Sequence, residues 1–567
     1  MNWLKALAVA LSVALAGTAQ AQNLAEANPH PVGVNLSGIT DWSTQQPFID
    51  VFKTARSWIG HLPRQWGGAS HEDLASAGYL DDDGWPTAKP PELGSIGTVI
   101  LNDLPEEAMD LAGRYRLRFD GNGIVEVAGR GTNVRYGKGE VTFDFTPGPG
   151  AVDIRIQRTD RARTGDYVRN ITVVKLDNVQ AYEAGEIFNP LWLDRMSGFA
   201  SIRHVNWMRA NGSTHRTWED RSRPDDYTWS RGGAPLEILL ALSNKLNADP
   251  WFTLPHGADD DYVTRFAEAV KAGLEPGLKA YVEYSNEVWN WQFQQAHYAN
   301  EQAQERWGTS DNWMQYYAAR SIEVAKIWDA VFADEADQRL VQVISSQTGW
   351  LGLEEQVFDA PLWRGEEPGR PSPSSHFDAY AITGYFGRGL GTEHFAEMVR
   401  GWLQQSLTDA QSAADAQGLT GEARETFVAA HKYDTANGLA WEELLDGMIS
   451  GDNDDTIESF LNKYLSYHMT VAQAQGLDLI AYEGGTHLAG VGPIVDDEEL
   501  TAFFIQFNYT PEMALLYEEL LAGWFASGAG LFMAYSDVRN PTRWGSWGAL
   551  RYLSDDNPRW DALEAAK

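Results

Sequence analysis

Tyr281-Val-Glu-Tyr-Ser-Asn-Glu-Val-Trp-Asn290 begins as a short apolar strand and ends in an Asn-Glu pair flanked by aromatics. Outward from it one form recurs: a short apolar strand, a loop rich in polar and aromatic residues, then an amphipathic helix. Strands of this kind read at 32–36, 201–208, 250–256, 279–283, 340–345, 377–383, 478–482 and 530–535. The helices between them carry ordinary start signals. Pro235 stands near one start, with Leu236, Leu239, Leu240 and Leu246 on one face. Asp259 to Asp261 cap a helix that carries Tyr262, Phe266 and Val270. Ala318, Ile322, Ala325, Trp328 and Phe332 keep i+3/i+4 spacing, and Thr510-Pro511-Glu512 opens a further helix. Eight strands alternating with helices predict an α/β fold, a (β/α)8 TIM barrel, with a doubly wound open sheet as the alternative.

Two stretches break that rhythm. Residues 95–185 change to period-two alternation, with Tyr115, Leu117 and Phe119 in one apolar row, Val141, Phe143 and Phe145 in another, and Ile154 and Ile156 in a third. Turns such as Asp120-Gly-Asn-Gly123 and Pro147-Gly-Pro-Gly150 separate them. This reads as an inserted β-sandwich-like module between the first and second barrel strands. Residues 388–466 read as a mainly helical insert after strand six. Loops that follow barrel strands lie on the catalytic face, so this insert is expected as a lid or cleft wall. The barrel itself is then discontinuous, 22–94 and 186–567.

Residues 1–21 read as a cleavable signal peptide: Lys5 in the n-region, apolar residues from Leu7 to Leu15, and Ala19-Gln20-Ala21 as the small-residue cleavage site. The expected destination is secreted or periplasmic. The chain has no cysteine, so no disulfide can form and stability must come from a large core. A net charge of −35 opposes nucleic acid and anionic membranes as partners. Tryptophan is abundant at 23 residues; flat aromatic faces stack on sugar rings but also fill cores. Oligomeric state cannot be read, and a monomer is compatible with the composition.

The chemistry rests on two carboxylates. Glu287 ends the fourth strand, and Glu483, in Leu479-Ile-Ala-Tyr-Glu-Gly-Gly-Thr-His487, ends the seventh. Two glutamates at the ends of separate strands are what a retaining glycosidase needs: one protonates the leaving oxygen, the other attacks the sugar carbon. Each glutamate taken alone is equally well a helix cap or the partner of a surface arginine. Glu283, four residues before Glu287, competes for the acid's role or supports it from within the strand. Other chemistries lack their motifs: there is no His-Glu-x-x-His and no Gly-x-Ser-x-Gly. Asp452-Asn-Asp-Asp455 lacks the glycine and terminal glutamate of a calcium loop, so it reads as a helix cap. No metal and no cofactor is expected.

Asn286-Glu287 at strand four, with Glu483 at strand seven, resembles the clan A glycoside hydrolases, (β/α)8 enzymes that cleave with retention. The resemblance covers most of the chain as strand order, through short motifs, and reaches no subfamily. With the signal peptide it implies an exported hydrolase of β-linked polysaccharide or oligosaccharide that works through a covalent glycosyl-enzyme. Glu287 would be the acid/base, Glu483 the nucleophile, and Asn286 the donor to the sugar 2-hydroxyl. Arg203 matches an arginine beneath the nucleophile, and Tyr385 a residue hydrogen-bonded to it. Tyr535 stands where the clan usually has a stacking tryptophan, a departure that Trp544 or Trp547 would cover. His256, Trp289 and Trp291 stand at strand ends where substrate binds, and His487 closely follows the nucleophile; each is also explicable as core. A non-catalytic carbohydrate-binding protein on the same scaffold is the alternative.

Overall fold

The computed structural model describes residues 30–567, so the expected signal segment lies outside the described residues. Eight parallel strands close on themselves: β1 (Val32–Asn35), β2 (Ser201–Arg203), β3 (Asp249–Leu254), β4 (Ala280–Tyr284), β5 (Leu340–Ser345), β6 (Ala379–Phe386), β7 (Asp478–Thr486) and β8 (Phe532–Tyr535). β8 pairs back onto β1 with Val32 beside Phe532 and Asn35 beside Tyr535, so the ring has no free edge and the open sheet is ruled out. All six residues of β5 are buried, as expected of a strand covered on both sides. Inside the ring, Trp251, Val341, Val343, Ala379, Ala381, Ile480, Tyr482 and Met533 pack as a solid plug.

The surrounding helices start where their side chains cap them. α1 (Leu236–Leu246) follows Pro235 and ends at Asn247 in the left-handed region. Asp259 accepts from the Tyr262 N–H to open α2 (Asp260–Gly273). α3 (Trp313–Phe332) buries Ile322, Ala325 and Trp328. α4 (Pro511–Ala526) is capped by Thr510, which accepts from the Met513 N–H.

The module is two antiparallel sheets. One orders Arg169–Lys175, Gly113–Asp120, Glu140–Phe145 and Thr132–Gly137; the other orders Gly68–Ala69, Ile59–His61, Ser95–Ile100, Val152–Thr159 and Gly123–Gly129. Tyr115, Leu117, Val141, Phe143, Ile154 and Ile156 fill the space between them. The second sheet reaches back to Ile59, ahead of the expected boundary at 95. Its first two strands have three and two residues, too short to show a period.

The module holds the loop that follows β2. The Tyr227 ring lies 5.5 Å from Trp58 and 5.9 Å from Trp85. The Thr228 hydroxyl donates to the Ala55 carbonyl at 2.7 Å, and the Lys53 ammonium to those of Pro224 and Asp226. Buried Asp50 accepts from Val173 and Phe52 N–H groups, and burial raises its pKa to about 6. After β6 come helices Glu393–Ala416, Gly421–His431 and Asp434–Asp446. They are tied to the helix Glu498–Phe507 and its cap: Tyr433 rests on Phe503 with centroids 5.5 Å apart, and Arg400 pairs with Asp497 at 2.5 Å. Asp455 is no helix cap. Thr456 caps the following turn, while Asp455 accepts from the Gly389 N–H.

Candidate active site

Arg203 ends β2 fully buried, and its guanidinium organises the mouth of the barrel. Nη1 donates to Glu483 Oε1 at 2.9 Å and to Asn35 Oδ1 at 3.2 Å. Nη2 donates to Glu283 Oε2 at 2.8 Å and to Asn286 Oδ1 at 2.7 Å. Its plane lies between the rings of Trp251 and Tyr482, at 5.3 and 5.1 Å. Burial works against this charge, but Glu283 and Glu483 outweigh it and push the pKa up.

Glu283 is completely buried and receives the Trp251 indole N–H at 3.0 Å as well as Arg203. It therefore faces the plug, below the level at which a substrate could reach it. Two residues further on the strand is over, and Ser285 and Glu287 both take positive φ, 61° and 44°. That sparsely populated backbone is found where the surroundings impose it. Glu287 Oε2 accepts from Asn290 Nδ2 at 3.0 Å, and Oε1 accepts from the Tyr482 hydroxyl at 3.1 Å.

Glu483 sits on an irregularity. The register between β6 and β7 slips after Ile382 and Ala481, so that Thr383 pairs with Glu483. A bulge of this kind re-aims side chains. Here it lets two consecutive residues, Tyr482 and Glu483, both meet groups at the mouth. Glu483 Oε2 accepts from the Tyr385 hydroxyl at 2.8 Å, and Oε1 from Arg203.

The two carboxyls thus have different surroundings. Burial, then the charge of Glu483, raises the Glu287 pKa to about 7. Only neutral donors, an amide and a phenol, touch it. Burial also pushes Glu483 up, and Arg203 and the Tyr385 hydroxyl offset only part of that, so its pKa too lies above the ordinary carboxylate range. The cation and phenol on Glu483 favour its ionised form more than the amide and phenol on Glu287 do, so a proton taken up by the pair favours Glu287.

Asn286 is buried, accepts from Arg203, and donates to Asn211 Oδ1 at 3.0 Å, which leaves one amide hydrogen. Gln295 donates to the same Asn211 oxygen and to the Asn286 carbonyl. Around Glu483 stand Tyr385, Tyr535, Trp547 and His487: Tyr385 lies 6.3 Å from Tyr535 and 6.0 Å from Trp547, and His487 lies 4.9 Å from Trp547. Burial, then Arg388, lowers His487 to about 4, so it is neutral at pH 7.

Other expected binders fall further out. Trp544 is 61% exposed with Arg543 over its ring, while Trp547, three residues on, meets Tyr385 and Tyr535. His256 packs on Tyr298 and accepts from Tyr284 through its carbonyl, touching neither glutamate. Burial, then Arg216, lowers its pKa to about 4. Trp289 is half-buried beside Asn290. Tyr482, Asn290 and Asn35 were missed by sequence reasoning.

No protein-family description and no curated protein matches this sequence. Solved structures that are similar include a fungal β-1,4-galactanase, at 11% identity and TM-score 0.32, covering 68% of this chain and 96% of that one. A 4-O-α-L-rhamnosyl-β-D-glucuronidase from Fusarium oxysporum matches at 12% and 0.33, covering 66% and 62%. An endo-β-1,4-mannanase from Cellulomonas fimi matches at 9% and 0.29, covering 65% and 62%. Likenesses this distant carry no inference about chemistry, which is read from the residues themselves.

Proposed function

We propose that this chain is an exported retaining glycoside hydrolase that cleaves β-linked polysaccharide or oligosaccharide. The observation that carries the reading is the asymmetry of the pair: Glu287 raised to about 7 among neutral donors, Glu483 held by Arg203 and Tyr385. Glu287 gives its proton to the glycosidic oxygen as that bond breaks. Glu483 attacks the anomeric carbon from the opposite face and forms a glycosyl ester. Glu287, now ionised, takes a proton from water, the water oxygen attacks the same carbon, and Glu483 leaves. Two inversions restore the β configuration. The remaining amide hydrogen of Asn286 is suited to the sugar 2-hydroxyl, a contact that strengthens as charge develops on the ring.

The test is release of reducing ends from β-glucans, xylans, mannans and galactans, with Glu287→Gln and Glu483→Gln alongside. The first-formed anomer is read by proton NMR on the polymer that is cut. Release by wild type, its loss in both variants, and a β product at early times are the expected results. An α product would mean inversion and would remove Glu483 as nucleophile. Tight binding to one polymer with no release would instead give a carbohydrate-binding protein.

A further inference from the structure

Beyond Glu287 the loops after β4 and β5 enclose a shallow trough lined by Trp289, Asn290, Trp291, Gln347, Gly349 and Trp350. Two of its tryptophans stand open, Trp291 at 39% and Trp350 at 48% exposure. Neither ring is loose. Both lean on the buried Trp313 that starts α3, with centroids 5.0 and 6.0 Å away. The Trp350 N–H donates to the Gln347 side-chain oxygen, which fixes that loop and leaves the Gln347 amide nitrogen to donate. The Trp289 indole nitrogen is buried with no partner among the described residues. Rigid exposed indoles with amide donors between them match a pyranose, which offers one apolar face and a rim of hydroxyls. No lining residue is charged.

The position of the trough gives it a direction. Asn290 lines it and also donates to Glu287 Oε2, so the trough opens on the flank of that carboxyl. The aromatics that surround Glu483 form a separate group of Tyr385, Tyr535, Trp547 and His487. A sugar attacked by Glu483 lies against this second group. The sugar that departs with the proton of Glu287 extends the other way. We propose that the trough is a leaving-group subsite for a neutral β-linked oligosaccharide, holding at least one sugar beyond the cleaved bond. This rests on the hydrolase reading above.

The experiment compares two substrates of wild type, Trp350→Ala, Trp350→Phe and Gln347→Ala. One is a neutral β-linked oligosaccharide of the polymer that the panel identifies. The other is the aryl glycoside of the same sugar, whose nitrophenol replaces everything the trough would hold. For Trp350→Ala, kcat/KM on the oligosaccharide is expected to fall about tenfold or more, the scale of one lost ring stack. On the aryl glycoside it is expected to stay within about twofold of wild type, because its leaving group carries no sugar for the trough to hold. Trp350→Phe should recover most of the loss, and Gln347→Ala should show the same split between substrates. An equal fall on both substrates, or no fall on the oligosaccharide, overturns the subsite while leaving the hydrolase intact. Release of reducing ends from no polymer of the panel removes the hydrolase reading, and the subsite with it.

Discussion

Glu287 and Glu483 are the same side chain, and what separates them lies within hydrogen-bonding distance. Glu287 must hold its proton to act as an acid, so kcat/KM should fall as pH rises through about 7, and a pH–rate profile should show that basic limb. A carboxyl whose folded pKa is raised also weakens the fold as it ionises. Its stabilising contribution is complete below about 4.5 and is lost as pH climbs through about 7. Glu287→Gln should therefore raise the melting temperature more at pH 8 than at pH 5, and an equal shift at both would assign the benefit elsewhere. Tyr385→Phe removes one donor from Glu483 Oε2. It should lower kcat by roughly ten- to a hundredfold, the scale of one hydrogen bond to a charged group, as measured by steady-state kinetics.

At the scale of the element, the site is an arrangement of strand ends, and β2 carries the keystone. Arg203→Met would leave buried Glu283 below and Glu483 at the mouth without the cation that they share. Breaking a buried pair in this way is expected to cost about 3–5 kcal/mol, readable as a lower urea midpoint. The strand ends also show what the sequence could and could not convey. The apolar run 201–208 reads as one strand, but extended backbone stops at Arg203 and the Met208 N–H turns back to the His204 carbonyl. Val205 and Trp207 are apolar because they are buried, and burial does not imply extension. The reverse happened on β7, where Gly484 and Gly485 look like punctuation yet remain strand. A Cβ at Gly484 would stand 2.4 Å from the Phe532 ring, and one at Gly485 2.4 Å from the Tyr517 oxygen, so these glycines allow close packing. The glutamates themselves were legible because each ends an apolar run. The hydroxyl of Tyr482 on Glu287 was not, since that contact joins residues 195 positions apart.

For the whole molecule, the module and the barrel share one loop. Tyr227 belongs to the loop after β2, yet its ring completes an aromatic cluster with Trp58 and Trp85 of the module region. Tyr227→Ala should cost roughly 3–5 kcal/mol, as for other large buried aromatics. Calorimetry of wild type should show a single transition in which module and barrel melt together; two separated peaks would mean that the shared loop does not couple them.

Closure of β8 onto β1 fixes how far apart β4 and β7 can stand, and with them the two carboxylates, whatever hangs from the rim. The loop 347–350, which carries neither carboxylate, can lengthen, shorten or change its tryptophan without moving that spacing. On the proposed reading, a change in such a loop alters the grip on substrate and leaves the paired carboxylates in place.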